Sequence, residues 1–368
     1  MARFRDWVDL GKNTFRSLTS DDFTSLYSRD WTDTRRALLA EHREAIEKEP
    51  SRLRRWARTV SAMAYGLTKR LSPVRRLVFV LTCVWFFACL ISVFHASAAL
   101  DPWLFIEISC SFAVMIVLLA MELIGKIKYR DELALARDLQ ATLIPKYAPR
   151  TPSYDISAFN HIANTVGGDL YDFVLLPDDR VAVLFGDASG HGMAAGLVMA
   201  VAHAAFRTQL EIDPSPGSII GSLNRILCRT GGSRSFFSCC YILLSPDGAY
   251  GATFAGHPQM LRLGPDGRVL ERIGQGAYPL GIKSGLTWTE EHGTLARGER
   301  LLLYSDGLPE SRDEQDRECG EAYVEAVVAR HGEAPANLLV DAIVAEWRKF
   351  IQHAPVEDDV SITVIEKR

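Results

Sequence analysis

The sequence predicts an α+β protein in which a soluble domain of short strands and grouped helices follows a two-helix transmembrane hairpin and a linker helix. Three observations carry this. Two long apolar runs, parted by Asp101-Pro102, fill residues 77–125. Beyond residue 150 the pattern changes to short β-rich runs with helical stretches inserted in groups. The charge is also split: residues 1–76 hold 17 Lys and Arg against 10 Asp and Glu, and the remainder 24 against 35. The formal net charge of −4 therefore joins a basic segment to an acidic one, and these meet different surroundings. With 48% hydrophobic and 23% charged residues, the chain is neither a disordered polyampholyte nor a polytopic transporter.

Residues 1–76 form a basic N-terminal region expected in the cytoplasm. Residues 1–50 hold no readable motif. Residues 51–76 carry Arg52, Arg54, Arg55, Arg58, Lys69, Arg70, Arg75 and Arg76 with no acidic residue. Interleaved with Leu53, Trp56, Val60 and Met63, they suit either an amphipathic helix on anionic lipid or plain topogenic charge.

Residues 77–125 are the hairpin. Leu77 to Leu100 has 24 consecutive residues without a formal charge, His95 counted as neutral. At about 1.5 Å per residue this crosses a hydrocarbon core of about 30 Å. Asp101-Pro102 ends the helix, and Trp103 to Gly125 makes a second span whose Glu107 and Glu122 sit near its ends, within reach of headgroups. Arg70, Arg75 and Arg76 before the hairpin and Lys126, Lys128 and Arg130 after it keep both termini cytoplasmic. The expectation is an inner-membrane protein with two spans, in contact with lipid. The first run starts too late and is too long for a cleavable signal peptide.

Residues 126–150 read as a linker helix continuing out of the membrane and stopped by Pro145. Its stripe of Leu133, Ala136, Leu139 (or Gln140) and Leu143 suits a homodimer seam or packing onto the following domain.

Within residues 151–368, strands are expected at 154–159, 170–176, 181–187, 236–244, 250–256, 300–306 and 360–366, and helices at 193–210, 217–229, 321–330 and 336–350. This is α+β layering, not βαβ alternation. The seven cysteines form no CxxC pair, so they read as reduced, mostly buried thiols, and no zinc site is expected. No nucleic-acid partner is expected either.

The chemistry lies in where aspartates fall relative to strands. VAVLFGDASGHGMAAG runs a strand into Asp187 and a Gly-rich turn, and RLLLYSDGLPES does the same with Asp306. EDDVSITVIE opens a strand with Asp358 and Asp359, and NTVGGDLYDF puts Asp169 after a double glycine. Any one Asp-Gly pair is ordinary turn chemistry. Jointly, carboxylates at strand ends without a matching Cys/His set favour hard divalent cations. A pair of such ions can activate water and clamp a phosphoryl group, which points to phosphate-ester hydrolysis.

Six segments, GGDLYDF (167–173), GDASGHGMAAGLVMA (186–200), AGHPQML (255–261), YPLGI (278–282), LYSDGLPES (303–311) and DDVSITVI (358–365), resemble the motifs of the bacterial SpoIIE/RsbU phosphatases. These belong to the metal-dependent, protein phosphatase 2C-like superfamily. ARDLQATLIP resembles the linker helix before that domain, so the likeness covers roughly residues 132–368. It implies an αββα sandwich of two central sheets with two Mn²⁺ or Mg²⁺ ions at one edge. On this likeness Asp187 bridges the metals and the Ala188 carbonyl is the neighbouring ligand. Asp306 and Asp358 complete the shell, Asp169 acts near the second metal or through its water, and Asp359 supports them. The catalytic set is then Asp169, Asp187, Asp306 and Asp358, and metal-activated water attacks phosphoserine or phosphothreonine without a phosphoenzyme. The implied substrate is a phosphorylated STAS-domain anti-sigma-factor antagonist.

No protein nucleophile is needed. Ser189 stands in GDASG, not in the GxSxG of a nucleophile elbow. GHGMAAG reads GxGxxxG outside any βαβ series, which argues against a dinucleotide loop. His191 and His257 have two readings, loop-shaping groups or proton donors to the leaving oxygen. Gly167, Gly168, Gly190 and Gly192 are expected to give the metal loops backbone freedom. Pro309 and Ser305 depart slightly from the family pattern, and neither removes a ligand. A competing function, a membrane signalling scaffold that binds a partner without turnover, is opposed by the intact aspartate set.

Overall fold

The computed structural model describes residues 54–55, 58–59, 73–95, 102–190, 192–230, 235–274 and 276–368. The expectations for residues 1–50, for most of the basic run before residue 73, for Asp101 at the turn and for His191 lie outside them. The chain divides into two compact units, Met1–Ile127 and Lys128–Arg368.

In the first unit, helix α1 spans Pro73–His95. Helix α2, Pro102–Leu143, begins there and runs into the second unit. Each helix opens on a proline, whose missing N–H has no partner to lose at that position. Val84, Trp85, Phe87 and Ile91 on α1, and Phe112, Ile116 and Leu119 on α2, are exposed. Both helices are long and apolar enough to cross a membrane. Arg75 donates to Glu122 at 3.4 Å, so this carboxylate at the end of the second apolar run has a partner. The second span and the linker helix expected to continue from it form one uninterrupted helix of 42 residues, about 63 Å long at about 1.5 Å per residue. It stops at Leu143 because Pro145 drives Ile144 out of the helical region.

The second unit contains ten strands and five further helices among its described residues. Strands β1 (Tyr154–His161), β2 (Leu170–Leu175) and β3 (Val181–Ala188) precede helices α3 (Met193–Ile212) and α4 (Pro216–Thr230). Then follow β4 (Phe237–Leu244), β5 (Ala249–Ala255), β6 (Met260–Leu263), β7 (Val269–Ile273), β8 (Glu290–Thr294) and β9 (Arg300–Tyr304). The chain ends with α5 (Gly307–Glu310), α6 (Glu321–His331), α7 (Ala336–Ile351) and β10 (Val360–Lys367). The strands form two antiparallel five-stranded sheets, ordered β1-β10-β9-β6-β7 and β2-β3-β4-β5-β8.

Strand alternation explains the layers. On β3, Val181, Val183 and Phe185 join the cluster between the sheets, while Ala182 and Leu184 pack with Met199 and Phe206 of α3 and Leu223 of α4. On β9, Leu301 and Leu303 point between the sheets, and Leu302 and Tyr304 pack with Val327 of α6 and Trp347 of α7. Both faces of these strands are covered, which is why they read as continuous apolar runs. The result is the αββα sandwich. Strands β6, β7 and β8 and the short α5 had no signal in the sequence reading. The three strands have only four or five residues each, and β8 (EEHGT) is an edge strand with no buried residue.

Candidate active site

The same alternation delivers the carboxylates to one place. Asp187 lies two residues beyond Phe185, and Asp169 two before Tyr171. Both therefore share the face that points between the sheets, as does Ser305 beyond Leu303. Asp306 is the N-terminal cap position of α5, and Asp358 and Asp359 immediately precede β10. The electrostatics register their convergence. Burial, reinforced by Asp306, Asp358 and Asp359, pushes the Asp187 carboxyl up to about 8. Burial, and then Asp187 and Asp359, raise Asp169 well above the ordinary carboxylate range, against a downward pull from the Ser361 and Ser305 hydroxyls. Asp169 is 2% exposed, and its Oδ2 has no hydrogen-bond partner. Among the described residues, no salt bridge reaches Asp169, Asp187, Asp306 or Asp359.

Asp359 plays a different part. Its Oδ1 accepts the Ala163 N–H at 2.8 Å and its Oδ2 the Gly168 N–H at 2.6 Å, so both oxygens hold backbone. Its own N–H donates to Asp358 Oδ1 at 2.8 Å. Ser305 donates to the Asp359 carbonyl at 3.2 Å and accepts the Ser361 N–H at 2.9 Å, clamping the strands that carry Asp306 and Asp358.

Close approach is what requires glycine at Gly167 and Gly168, whereas Gly190 and Gly192 adopt positive φ values of 90° and 70°, in keeping with the backbone freedom expected of them. A Cβ on Gly167 would lie 2.3 Å from Asp359 Oδ2. One on Gly168 would lie 2.7 Å from Asp187 Oδ1 and 2.8 Å from the Ala188 carbonyl. That cradle sets the Asp187 carboxylate and the Ala188 carbonyl against bare backbone, next to the unpartnered Asp169 oxygen. Among the described residues no group of three or more His, Cys, Asp or Glu side chains stands close enough together to hold a metal ion. An open set of carboxylates and one carbonyl fits Mg²⁺ or Mn²⁺, which keep several waters and take few protein ligands. It lacks the His and Cys donors that zinc sites are mostly built from.

His257 packs its ring on Phe185 at 5.2 Å, with both nitrogens buried and unpartnered. Burial holds its pKa down at about 3. A neutral imidazole keeps one N–H but is too weak an acid to protonate a leaving oxygen near neutral pH, so the loop-shaping reading of His257 is the better supported. Ser189 Oγ accepts the Phe236 N–H at 2.8 Å, and its N–H donates to the Phe236 carbonyl at 2.9 Å, tying the loop after β3 to the start of β4.

Two polar features were not singled out by the sequence reading. Gln140 of α2, placed there as an alternate member of an apolar stripe, is buried. Its Nε2 donates to the Gly167 carbonyl at 2.6 Å and its Oε1 accepts the Gly167 N–H at 3.0 Å. Asp172 is fully buried on β2, held by Arg207 at 2.6 and 2.7 Å and by His203 at 2.9 Å, and anchors α3 to the sheet. An amide among apolar positions, and a His-Arg pair spaced i, i+4, were the available signals.

The layered sandwich is a protein phosphatase 2C-like fold, with the carboxylates at one edge. The profile described as Stage II sporulation protein E (SpoIIE) matches residues 177–368, and the chain belongs to that family. It is 22% identical over 240 residues to phosphoserine phosphatase RsbU of Bacillus subtilis, covering 65% of this chain and 71% of RsbU. It is 25% identical over 188 residues to phosphoserine phosphatase RsbP of the same organism, covering 50% of this chain and 46% of RsbP, so it spans less than half of that relative. The SiaA-PP2C domain of Pseudomonas aeruginosa superposes with a TM-score of 0.57 at 19% identity, covering 66% of this chain and 98% of that domain, which shows the shared fold.

Proposed function

We propose that the chain is a membrane-tethered, metal-dependent phosphatase acting on phosphoserine or phosphothreonine in a protein. The observation that carries this is the gathering of Asp169, Asp187, Asp306 and Asp358 at one sandwich edge, with a buried Asp169 oxygen left unpartnered. Two Mn²⁺ or Mg²⁺ ions would be held there by Asp187, the Ala188 carbonyl, Asp306 and Asp358, with Asp169 close by. When bound, they supply Lewis-acid stabilisation of the phosphoryl group and an acidified water. Asp359 positions this set by holding the Gly168 and Ala163 amides. With these aspartates engaged as metal ligands, attack by water is favoured over an aspartyl phosphoenzyme.

The two apolar helices serve as an inner-membrane anchor with both termini in the cytoplasm; Gln140 and Leu143 of the α2 stripe pack on the domain, and the exposed Leu139 leaves room for a homodimer seam. The likeness to RsbU and RsbP, both named phosphoserine phosphatases, supports a signalling substrate. A phosphorylated STAS-domain anti-sigma-factor antagonist is the proposed one.

The test is phosphate release from a phosphoserine peptide by the full chain in detergent, with Mn²⁺ or with EDTA. Activity is expected only with the metal, and Asp187→Ala should reduce it at least about 10²-fold. Hydrolysis indifferent to both would contradict the reading.

A further inference from the structure

A second surface lies beside the carboxylate edge. Helix α4 and the turn after Leu280 enclose a groove of about 870 Å³. Arg225 and Arg229, one helical turn apart on α4, line one wall, and Lys283 with the apolar Ile282 and Leu286 line the other. No carboxylate lines it, and among the described residues none of the three cations has an acidic partner. The groove is built, not incidental. Asn224, 3% exposed, donates to the Lys283 carbonyl at 3.0 Å and accepts the Gly281 N–H at 2.9 Å, pinning the turn to the helix. Unpaired cations gathered on one face stand out in a chain whose residues 77–368 carry 24 Lys and Arg against 35 Asp and Glu.

The groove's position ties it to the reaction. Leu280, next to Gly281, exchanges backbone hydrogen bonds of 2.9 and 3.0 Å with Phe237, and Phe237 pairs with Ala188 across β3 and β4. Two ladder steps of about 4.8 Å put the groove's rim about 10 Å from the Ala188 carbonyl. A peptide extending a few residues from a phosphoserine at the carboxylates spans that distance.

We propose that this basic groove docks an acidic segment of the protein substrate, which makes it a specificity element resting on the phosphatase reading above. Charge complementarity selects the occupant: a strip of glutamates or aspartates meets Arg225, Arg229 and Lys283, while Ile282 and Leu286 take apolar side chains between them. Exposed cations of this kind act on encounter and affinity, so they set KM and leave kcat alone.

The experiment uses the full chain in detergent, Mn²⁺, and two phosphoserine peptides of equal length, one rich in glutamate and one with glutamine in those places. Wild type should show a KM about tenfold lower for the glutamate peptide. Replacing all three cations (R225Q, R229Q, K283Q) should raise that KM about tenfold. The glutamine peptide, kcat and p-nitrophenyl phosphate hydrolysis should stay unchanged. An unaltered KM, or a parallel loss on p-nitrophenyl phosphate, overturns the assignment. So does a variant that loses only binding to phosphatidylglycerol vesicles, which would make the groove a lipid site. If wild type hydrolyses neither peptide, the phosphatase reading fails separately. Fluorescence anisotropy with the labelled glutamate peptide then decides the groove: binding lost in the triple variant upholds it, and absent or equal binding overturns it.

Discussion

The middles and the ends of the same strands obey one alternation with opposite energetic results. Along β3, the face that buries Val181, Val183 and Phe185 between the sheets goes on to bury Asp187 at the edge. Along β2, Asp169 precedes Tyr171 and Phe173 on the same face. In the middle, removal from water stabilises the fold through apolar area. At the end it opposes ionisation of carboxylates crowded against one another. Stability is therefore concentrated in the strand middles. The edge is a site of stored repulsion that a divalent cation would relieve.

Mutations at the two places should separate accordingly. Phe185→Ala removes an inter-sheet ring and is expected to destabilise by about 3–5 kcal/mol in chemical denaturation, with activity surviving wherever the protein stays folded. Asp187→Asn is expected to lose about 10²- to 10³-fold in kcat while the metal-free protein melts no lower than wild type. If the two variants behaved alike, the division between middle and end would be wrong.

Gln140→Ala is the next smaller effect. It leaves the Gly167 N–H and carbonyl without their partners, and should cost about 1–3 kcal/mol and weaken Mn²⁺ binding through the Gly168 loop. Gln140→Glu, which keeps an acceptor but loses the donor, should restore only part. Unchanged Mn²⁺ affinity in both would reduce Gln140 to a packing residue.

The smallest effect is in pH. Unfolded, Asp187 loses its proton near pH 4, but in the cation-free fold it keeps it to about pH 8. The unfolded chain thus binds fewer protons across that window, and cation-free stability falls as pH rises through it. A cation must displace this proton, so the gain in Tm on adding Mn²⁺ should be a few degrees larger at about pH 8 than at about pH 6. An equal or reversed gain would show that Asp187 is ionised before the metal arrives.

Most of the sandwich was legible because β3, β9 and β10 are buried on both faces and leave unbroken apolar runs. The aspartates were legible because each adjoins such a run. What escaped was set by tertiary contact. The β8 residues EEHGT acquire strand geometry only by pairing with β5. Gln140 looked like a stripe position because its hydrogen-bonding partner lies 27 residues away in a glycine loop. The close approach at Gly167 was hidden for the same reason: the side chain that excludes a Cβ there comes from Asp359, 192 residues along the chain.

The most direct test of the central claim is a thermal melt of wild type and Asp187→Asn, each in EDTA and in Mn²⁺. Wild type should gain stability with Mn²⁺, as binding to the folded state alone requires. The variant should melt at or above wild type in EDTA and gain almost nothing from the metal. A wild type indifferent to Mn²⁺, or a variant stabilised as much as wild type, would contradict a cation site at the strand ends.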